Sequence, residues 1–462
     1  MTDRDLLTRT AELALEFLEG LPDRRVGPAV SADSLRAAFG GPLPESGEDA
    51  RTVVESLARA ADPGLVAMAG PRYFGFVIGG HLPATLAADW LTSAWDQNAT
   101  LYISSPANSV AEEVAAGWLL ELFDLPRGAS VGFVTGGQMA NFTALAAARH
   151  AVLARAGWDV ESQGLFGAPE IDVVIGDQAH ATIYTSLQML GLGRDRVKKV
   201  PNDGQGRMRA EALPEVLRSC SGPLIVCAQM GNVNTGAFDP LPEIAAAVRE
   251  RGGWLHVDGA FGLWARVSPG LSQLAEGADR ADSWAVDAHK WLNVPYDSGI
   301  VIVNDPESHR AAMTISASYL VQTAGGERDP FDWAPEFSRR ARGFTVWAAL
   351  RSLGRAGVRD LIERCCAHAR RMADRLRSDP RVEILNDVVL NQVLVRFHPP
   401  GGGDSDAYTR EVVARVQADG TCWLGGTTWQ GRSAMRISVS NWSTTEEDID
   451  RSAAAILKNL TA

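Results

Sequence analysis

Asp287-Ala288-His289-Lys290-Trp291-Leu292-Asn293-Val294-Pro295-Tyr296-Asp297-Ser298-Gly299 sets a histidine and a lysine side by side between two apolar runs. The run before it, Ala281-Asp282-Ser283-Trp284-Ala285-Val286, and the run after it, Gly299-Ile300-Val301-Ile302-Val303, are short and bounded by turn formers, which predicts two buried strands. Lys290 then falls at a turn beside a sheet. Partial burial there penalises the charged form of its amine and leaves the amine able to condense with an aldehyde. A lone His-Lys pair is ordinarily a surface lysine next to a core histidine, so the reading depends on what else the chain carries.

Gly253-Trp254-Leu255-His256-Val257-Asp258-Gly259-Ala260-Phe261 is a strand pattern that ends on a carboxylate, the place where open α/β folds put ligand-binding groups. By itself such an aspartate is a turn former. Followed by a lysine 32 residues later, it suggests pyridoxal 5'-phosphate (PLP). That cofactor needs an amine for its aldehyde and a carboxylate that keeps its ring nitrogen protonated, so that the ring accepts electrons from a developing carbanion. A seat for the phosphate is offered by Val131-Gly132-Phe133-Val134-Thr135-Gly136-Gly137-Gln138, where a strand pattern breaks at two glycines and enters a helix-favouring stretch through about Arg155. Glycines allow close backbone approach, and a helix start favours an anion. Ile171-Asp172-Val173-Val174-Ile175 is a further strand pattern that leads to His180, ahead of helix-like residues 181–190. His180 is either a ring that stacks on the cofactor or a capping histidine.

The order glycine loop, histidine, aspartate, lysine, with the words His256-Val257-Asp258 and His289-Lys290-Trp291, resembles the group II PLP-dependent amino acid decarboxylases of fold type I, which include aromatic amino acid, histidine, glutamate and cysteine sulfinate decarboxylases. The resemblance spans roughly residues 70–450. It is strengthened by Ser104-Ser105-Pro106-Ala107 and by Ser338-Arg339-Arg340-Ala341-Arg342-Gly343-Phe344-Thr345-Val346-Trp347. It implies that Lys290 is the Schiff-base lysine, that Asp258 partners the ring nitrogen, and that Ala260 lies on the ring face opposite His180. His289 would contact phosphate or substrate, and Gly136, Gly137 and Gln138 would bind phosphate. Two positions depart from the family pattern. Gln138 stands where many members carry serine or threonine, and Asp287 where some have an asparagine. A carboxylate at 287 would repel the phosphate unless it turns away or meets an arginine.

The expected fold is α/β, a mostly parallel sheet covered by helices with a small C-terminal α/β domain. The divisions fall at residues 1–70 (a helical and extended arm), 71–338 (the PLP-binding domain) and 339–462. Residues 6–18 show helical apolar spacing, and the Pro/Gly-rich residues 21–44 look extended. In the resembled family such an arm crosses the partner subunit, which implies a homodimer with its sites near the interface. A long helix is expected from about Arg339. Val382-Glu383-Ile384-Leu385, Gln392-Val393-Leu394-Val395-Arg396-Phe397 and Met435-Arg436-Ile437-Ser438-Val439-Ser440 read as strands, and residues 446–460 as a closing helix.

A length of 462 residues suits two or three domains, and 46% hydrophobic with 22% charged residues is a globular composition. A net charge of −12 argues against nucleic acid or an anionic membrane as partner. There is no apolar run of about 18 residues, and the start Met1-Thr2-Asp3-Arg4-Asp5 has no basic stretch leading into an apolar core, so a cytoplasmic location is expected. The cysteines, at 220, 227, 365, 366 and 422, have neither disulfide nor zinc-site spacing.

The substrate side is less determined. Pro71-Arg72-Tyr73-Phe74-Gly75-Phe76 resembles a family segment that lines the site, and Tyr102 precedes the Ser-Pro-Ala word. Phe74 and Tyr102 would suit an aromatic side chain, whereas Arg72 would suit an acidic one, so aromatic, acidic and neither stay open. Decarboxylation also needs an acid to return a proton to carbon. In aromatic members a loop tyrosine serves, and the corresponding residues, 321–333, contain none. With Pro330 or Phe331 at that place, slow amine formation is expected, with aldehyde and ammonia arising through oxidation by dioxygen, which is reduced to hydrogen peroxide. Beside decarboxylation, the alternatives are an aldehyde synthase, aminotransferase or lyase, and a PLP-binding protein without activity.

Overall fold

The computed structural model describes residues 2–315 and 326–460. Strands β1 (Ser130–Val134), β2 (Asp172–Gly176), β3 (Lys198–Val200), β4 (Leu224–Gln229), β5 (Trp254–Asp258), β6 (Ser283–Asp287) and β7 (Gly299–Val303) form one sheet in the order β1-β7-β6-β5-β4-β2-β3. From β6 to β3 the strands are parallel, and β7 is antiparallel to both β6 and β1. β1 therefore points the same way as the parallel strands. Every residue of β1, β5, β6 and β7 is buried, because helices cover both faces, so both sets of alternating side chains are mostly apolar and the polar ones are hydrogen-bonded. Ile225, Cys227, Trp254, Ala285 and Val301 pack against the alanine-rich helix Gly137–Arg155. Their neighbours Val226, Leu255, Val257, Trp284 and Ile300 join the larger core on the other face.

The helix Gly343–Leu376 carries the chain to a second, antiparallel sheet, interrupted at Gly354, whose φ of 60° lies in the left-handed region. That sheet has the order β10-β11-β9-β8, from β8 (Val382–Ile384), β9 (Gln392–Phe397), β10 (Gly425–Trp429) and β11 (Arg432–Ser438). The closing helix, Glu446–Lys458, starts from a capping box between Thr445 and Asp448. Residues 21–44 are not extended throughout. Ser31 caps a helix, Ala32–Phe39, with its side chain accepting from the Ser34 N–H, a start signal lying within the Pro/Gly-rich stretch. None of the helices Asp3–Gly20, Ala32–Phe39 and Ala50–Ala61 contains a buried residue. Among the described residues no helix is long and apolar enough to cross a membrane, and no three metal-ligating side chains cluster.

Candidate active site

Because β1, β2, β5 and β6 point the same way, the segments that leave their carboxyl ends meet on one edge of the sheet. β1 runs through Gly136 into the helix Gly137–Arg155, and β2 runs to His180, which caps the helix Ala181–Met189. β5 ends on Asp258, and β6 ends on Asp287 before the single turn Ala288–Trp291 that holds Lys290. Gly79 packs so closely on the Lys290 carbonyl that a Cβ there would fall 1.7 Å from it.

Lys290 Nζ lies 2.7 Å from Asp287 Oδ2 and 6.0 Å from the centre of the Phe261 ring. Asp287 Oδ1 accepts from the Gly137 N–H at 2.5 Å and stands 3.3 Å from His289 Nε2. Burial alone would push the Asp287 carboxyl up, but Lys290, His289 and the Gly137 N–H together hold it below the usual carboxylate range. The expected conflict at position 287 is thus met by a lysine and a histidine rather than by an arginine. Burial also pushes both active-site histidines down, although Asp287 opposes this for His289 and Asp258 opposes it for His180. His289 accepts from the Ser298 N–H at Nδ1 and tilts against Tyr296, with ring centres 4.4 Å apart. Asp258 is 5% exposed; its Oδ1 accepts from the Ala260 N–H at 3.2 Å and its Oδ2 from Asn141 Nδ2 at 3.3 Å.

These residues fit PLP. An amine, a buried carboxylate and an imidazole converge, and at the helix start a Cβ on Gly137 would lie 2.7 Å from Asp287 Oδ2, so glycine there is what lets the Asp287 carboxylate reach the helix's first N–H. The model matching pyridoxal-dependent decarboxylases, described as their conserved domain, covers residues 33–398. The chain belongs to the pyridoxal-dependent decarboxylase family. It is accordingly a PLP-dependent amino acid decarboxylase. Its relatives include an aromatic-L-amino-acid decarboxylase of Bacillus atrophaeus, 26% identical over 96% of this chain and 93% of that protein. A 4-hydroxyphenylacetaldehyde synthase of Rhodiola rosea is likewise 26% identical, over 96% of this chain and 93% of that one. In fold, the crystal structure of Oryza sativa TDC with PLP and tryptamine is similar, with a TM-score of 0.91 at 24% identity over 99% of this chain and 97% of that one. The likeness therefore extends well ahead of residue 70, into the arm.

Other residues predicted for the decarboxylase site lie elsewhere or are engaged. Arg72, 2% exposed, donates to the carbonyls of Thr421, Pro22 and Arg24 and stands 3.5 Å from Asp448, so it is a structural tie and not a partner for an acidic substrate. Phe74, 1% exposed, packs into the main core; the exposed ring is that of Phe76, stacked on Trp423. Gln138 donates to Ser186 Oγ at 3.2 Å, which turns its amide toward the neighbouring helix. Tyr102 sits half-buried in the turn Tyr102–Ser104, its backbone N–H bonded to Asp329 Oδ1. Among the described residues no hydrogen bond or ring contact joins Tyr102 to Lys290, His180 or Asp258. Of the segment 321–333, residues 321–325 lie outside the described residues. Pro330–Trp333 is a short 3₁₀ turn in which Phe331, 1% exposed, meets Phe337 edge-on. Neither Phe331 nor Pro330 is placed like a group on a free loop.

Two further residues were not weighed in the sequence reading. Arg436, on β11, has no ion-pair partner among the described residues, is partly buried, and lies near enough to His180 for its charge to depress that imidazole. Met435 and Ile437 on either side are in the main core, so Arg436 faces the opposite way, toward the large sheet. The signal was the arginine within an otherwise apolar strand pattern. Tyr319 stands two residues ahead of the tyrosine-free segment and lies outside the described residues. A wider sequence window would have included it.

Proposed function

We propose that this decarboxylase acts on aromatic L-amino acids through Lys290, with Asp258 and His180 holding the cofactor ring and Arg436 receiving the substrate carboxylate. The observation that carries the reading is the convergence of Lys290, Asp258 and His180 at one sheet edge beside an arginine that has no acidic partner among the described residues. Bound PLP supplies an aldehyde for the amine and a ring that accepts the electrons left when carbon dioxide departs. Lys290 supplies that amine, and Asp258, aimed from the end of β5, keeps the ring nitrogen protonated. His180 and Ala260 bracket the ring, while Gly136, His289 and the backbone of Gly137 and Gln138 line the phosphate end, the Gln138 side chain being held by Ser186. Arg436 fixes the carboxylate bidentately. Its pull opposes departure of a neutral molecule, so its contribution is to orientation and binding.

An aromatic substrate is favoured over an acidic one because Arg72, the cation that could have met an acidic side chain, is spent on backbone carbonyls. The name of the Bacillus atrophaeus relative supports the same class. For the final protonation we assign Tyr319, the phenol nearest in sequence to the expected loop; with it in place the amine is the main product. The enzyme is a homodimer. Support comes from Leu7, Leu15, Phe39, Val53 and Leu57, which are exposed on N-terminal helices that contain no fully buried residue, and from exposed Ile103 beside Tyr102. We divide the chain at 70 and 338, supported by the two separate sheets, and place it in the cytoplasm, supported by five buried cysteines that are all free. The test is to offer the purified enzyme a panel of L-amino acids and identify every product by mass spectrometry. Amines from aromatic substrates are expected; turnover confined to glutamate or cysteine sulfinate would overturn the substrate class, and no amine from any substrate the reaction.

A further inference from the structure

Behind Asp258 lies a continuous chain of buried polar side chains whose proton positions are fixed by geometry. Asn141, 1% exposed on the helix Gly137–Arg155, donates from Nδ2 to Asp258 Oδ2 at 3.3 Å and to Thr182 Oγ1 at 3.0 Å. The amide cannot be reversed, because its oxygen would then face the carboxylate. Asn141 Oδ1 therefore accepts from His256 Nε2 at 2.9 Å, which puts the single proton of a neutral His256 on Nε2. His256 Nδ1 must then accept from the Ser283 hydroxyl at 2.9 Å, and Ser283 Oγ in turn accepts from Trp254 Nε1 at 2.9 Å. His256 is fully buried and pushed down to about 4 by that burial, so it stays neutral and has one N–H to give.

The second arm leads to the other ring-facing group. Thr182 Oγ1, having accepted from Asn141, donates to His180 Nδ1 at 2.8 Å, and the Thr182 N–H points at the same nitrogen at 3.3 Å. His180 thus carries its proton on Nε2. One amide stands between the carboxylate and the imidazole, held by a neutral histidine that can bind it in one sense only.

We propose that Asn141, locked by His256, is a positioning residue that keeps Asp258 ionised against the cofactor's ring nitrogen and at the same time sets the tautomer of His180. The inference rests on the PLP reading of the site. An N–H donated to the carboxylate stabilises its charged form, so the proton stays on the ring nitrogen rather than moving to Asp258. Without that donor, a proton shared between nitrogen and oxygen in a water-poor site shifts toward oxygen, and the ring accepts electrons less well.

The experiment uses holoenzyme loaded with PLP carrying ¹⁵N in its ring, in wild type and in Asn141→Leu, which keeps the volume but neither donor nor acceptor. The wild-type ¹⁵N resonance is expected at the protonated position, and that of Asn141→Leu displaced toward the unprotonated one. kcat should fall about 10- to 100-fold, the size of one hydrogen bond to a charged group, with KM changed by less than about threefold. Should the leucine variant fail to fold, Asn141→Ala, in a helix already rich in alanine, decides in its place. A folded variant whose ring nitrogen stays at the wild-type position would overturn the inference. A wild-type protein that takes up no labelled cofactor would instead overturn the functional reading on which the inference stands.

Discussion

Replacing Arg436 by methionine removes the guanidinium and keeps most of the side-chain volume. Arg436 lies between core residues Met435 and Ile437 on β11, so its backbone is held by the pairings Arg436 to Gly425 and Arg436 to Leu394, and the substitution disturbs neither. No ion pair or hydrogen bond within the described chain is lost, because its side chain makes none there. The expected effect on folding is consequently small, under about 1 kcal/mol. A bidentate pair with a carboxylate comprises two charge-assisted bonds, each worth roughly 1.5–3 kcal/mol in a dry site. Arg436 is only partly buried, so the low end applies and the pair contributes about 3 kcal/mol, or about 100-fold in kcat/KM. As the carboxylate charge disappears during the reaction, most of that loss should fall on KM. Steady-state kinetics with an aromatic L-amino acid, alongside a titration of the decarboxylated amine as competitive inhibitor, separates the two contributions. Arg436→Met should weaken the substrate and leave the carboxylate-free amine bound as before. Equal weakening of both, or kcat/KM within threefold of wild type, would refute the assignment.

His256 offers a pH test. Its folded-state pKa of about 4 lies below the ordinary 6.5, so the unfolded chain binds a proton between these values that the native protein does not. Stability is therefore fully present above about pH 6.5 and lost as pH falls toward 4, by about 3 kcal/mol from this group. In urea unfolding, the stability difference between wild type and His256→Gln should shrink by about that amount from pH 7 to pH 4; a constant difference would show that another group titrates. Tyr319→Phe should lower the yield of amine at least tenfold relative to carbon dioxide released and bring up aldehyde. If the product ratio is unchanged, the proton comes from elsewhere. Deleting residues 1–60 should convert the dimer to monomer or aggregate in sedimentation velocity, whereas an intact active dimer would contradict the role given to the arm.

The parts of the fold that follow from local sequence were readable from it. Strands β1, β2, β5, β6 and β7 are each a short run of mostly apolar, buried residues bounded by turn-forming residues, and that pattern needs no long-range information. The positions of Lys290, Asp258 and His180 just past strand ends were readable in the same way. The choice left open around Arg72 could not be made from sequence because its partners, the carbonyls of Thr421, Pro22 and Arg24, are up to 349 residues away and only the fold brings them together. Arg436 was passed over for the related reason that which face of β11 meets the large sheet is settled by packing. Strand β10, with two glycines and two threonines, has no apolar alternation of its own and exists because it pairs with β11. Asn141 sits in a helix whose sequence is explained by its alanines, and nothing local marks it as the residue that reaches Asp258.

The chain contains only four lysines, Lys198, Lys199, Lys290 and Lys458, and this makes the central assignment open to a single chemical measurement. Lys198 is paired with Asp172 at 2.8 Å and Lys458 is largely exposed on the last helix, so neither shares the setting of Lys290 between Asp287 and Phe261. Reducing the cofactor-loaded protein with borohydride, digesting it and locating the pyridoxyl group by mass spectrometry reads out which amine holds the aldehyde. The expected result is one label per chain, on Lys290, with none in Lys290→Ala. A stoichiometric label on Lys198, Lys199 or Lys458, or a label that persists in the alanine variant, would contradict the assignment.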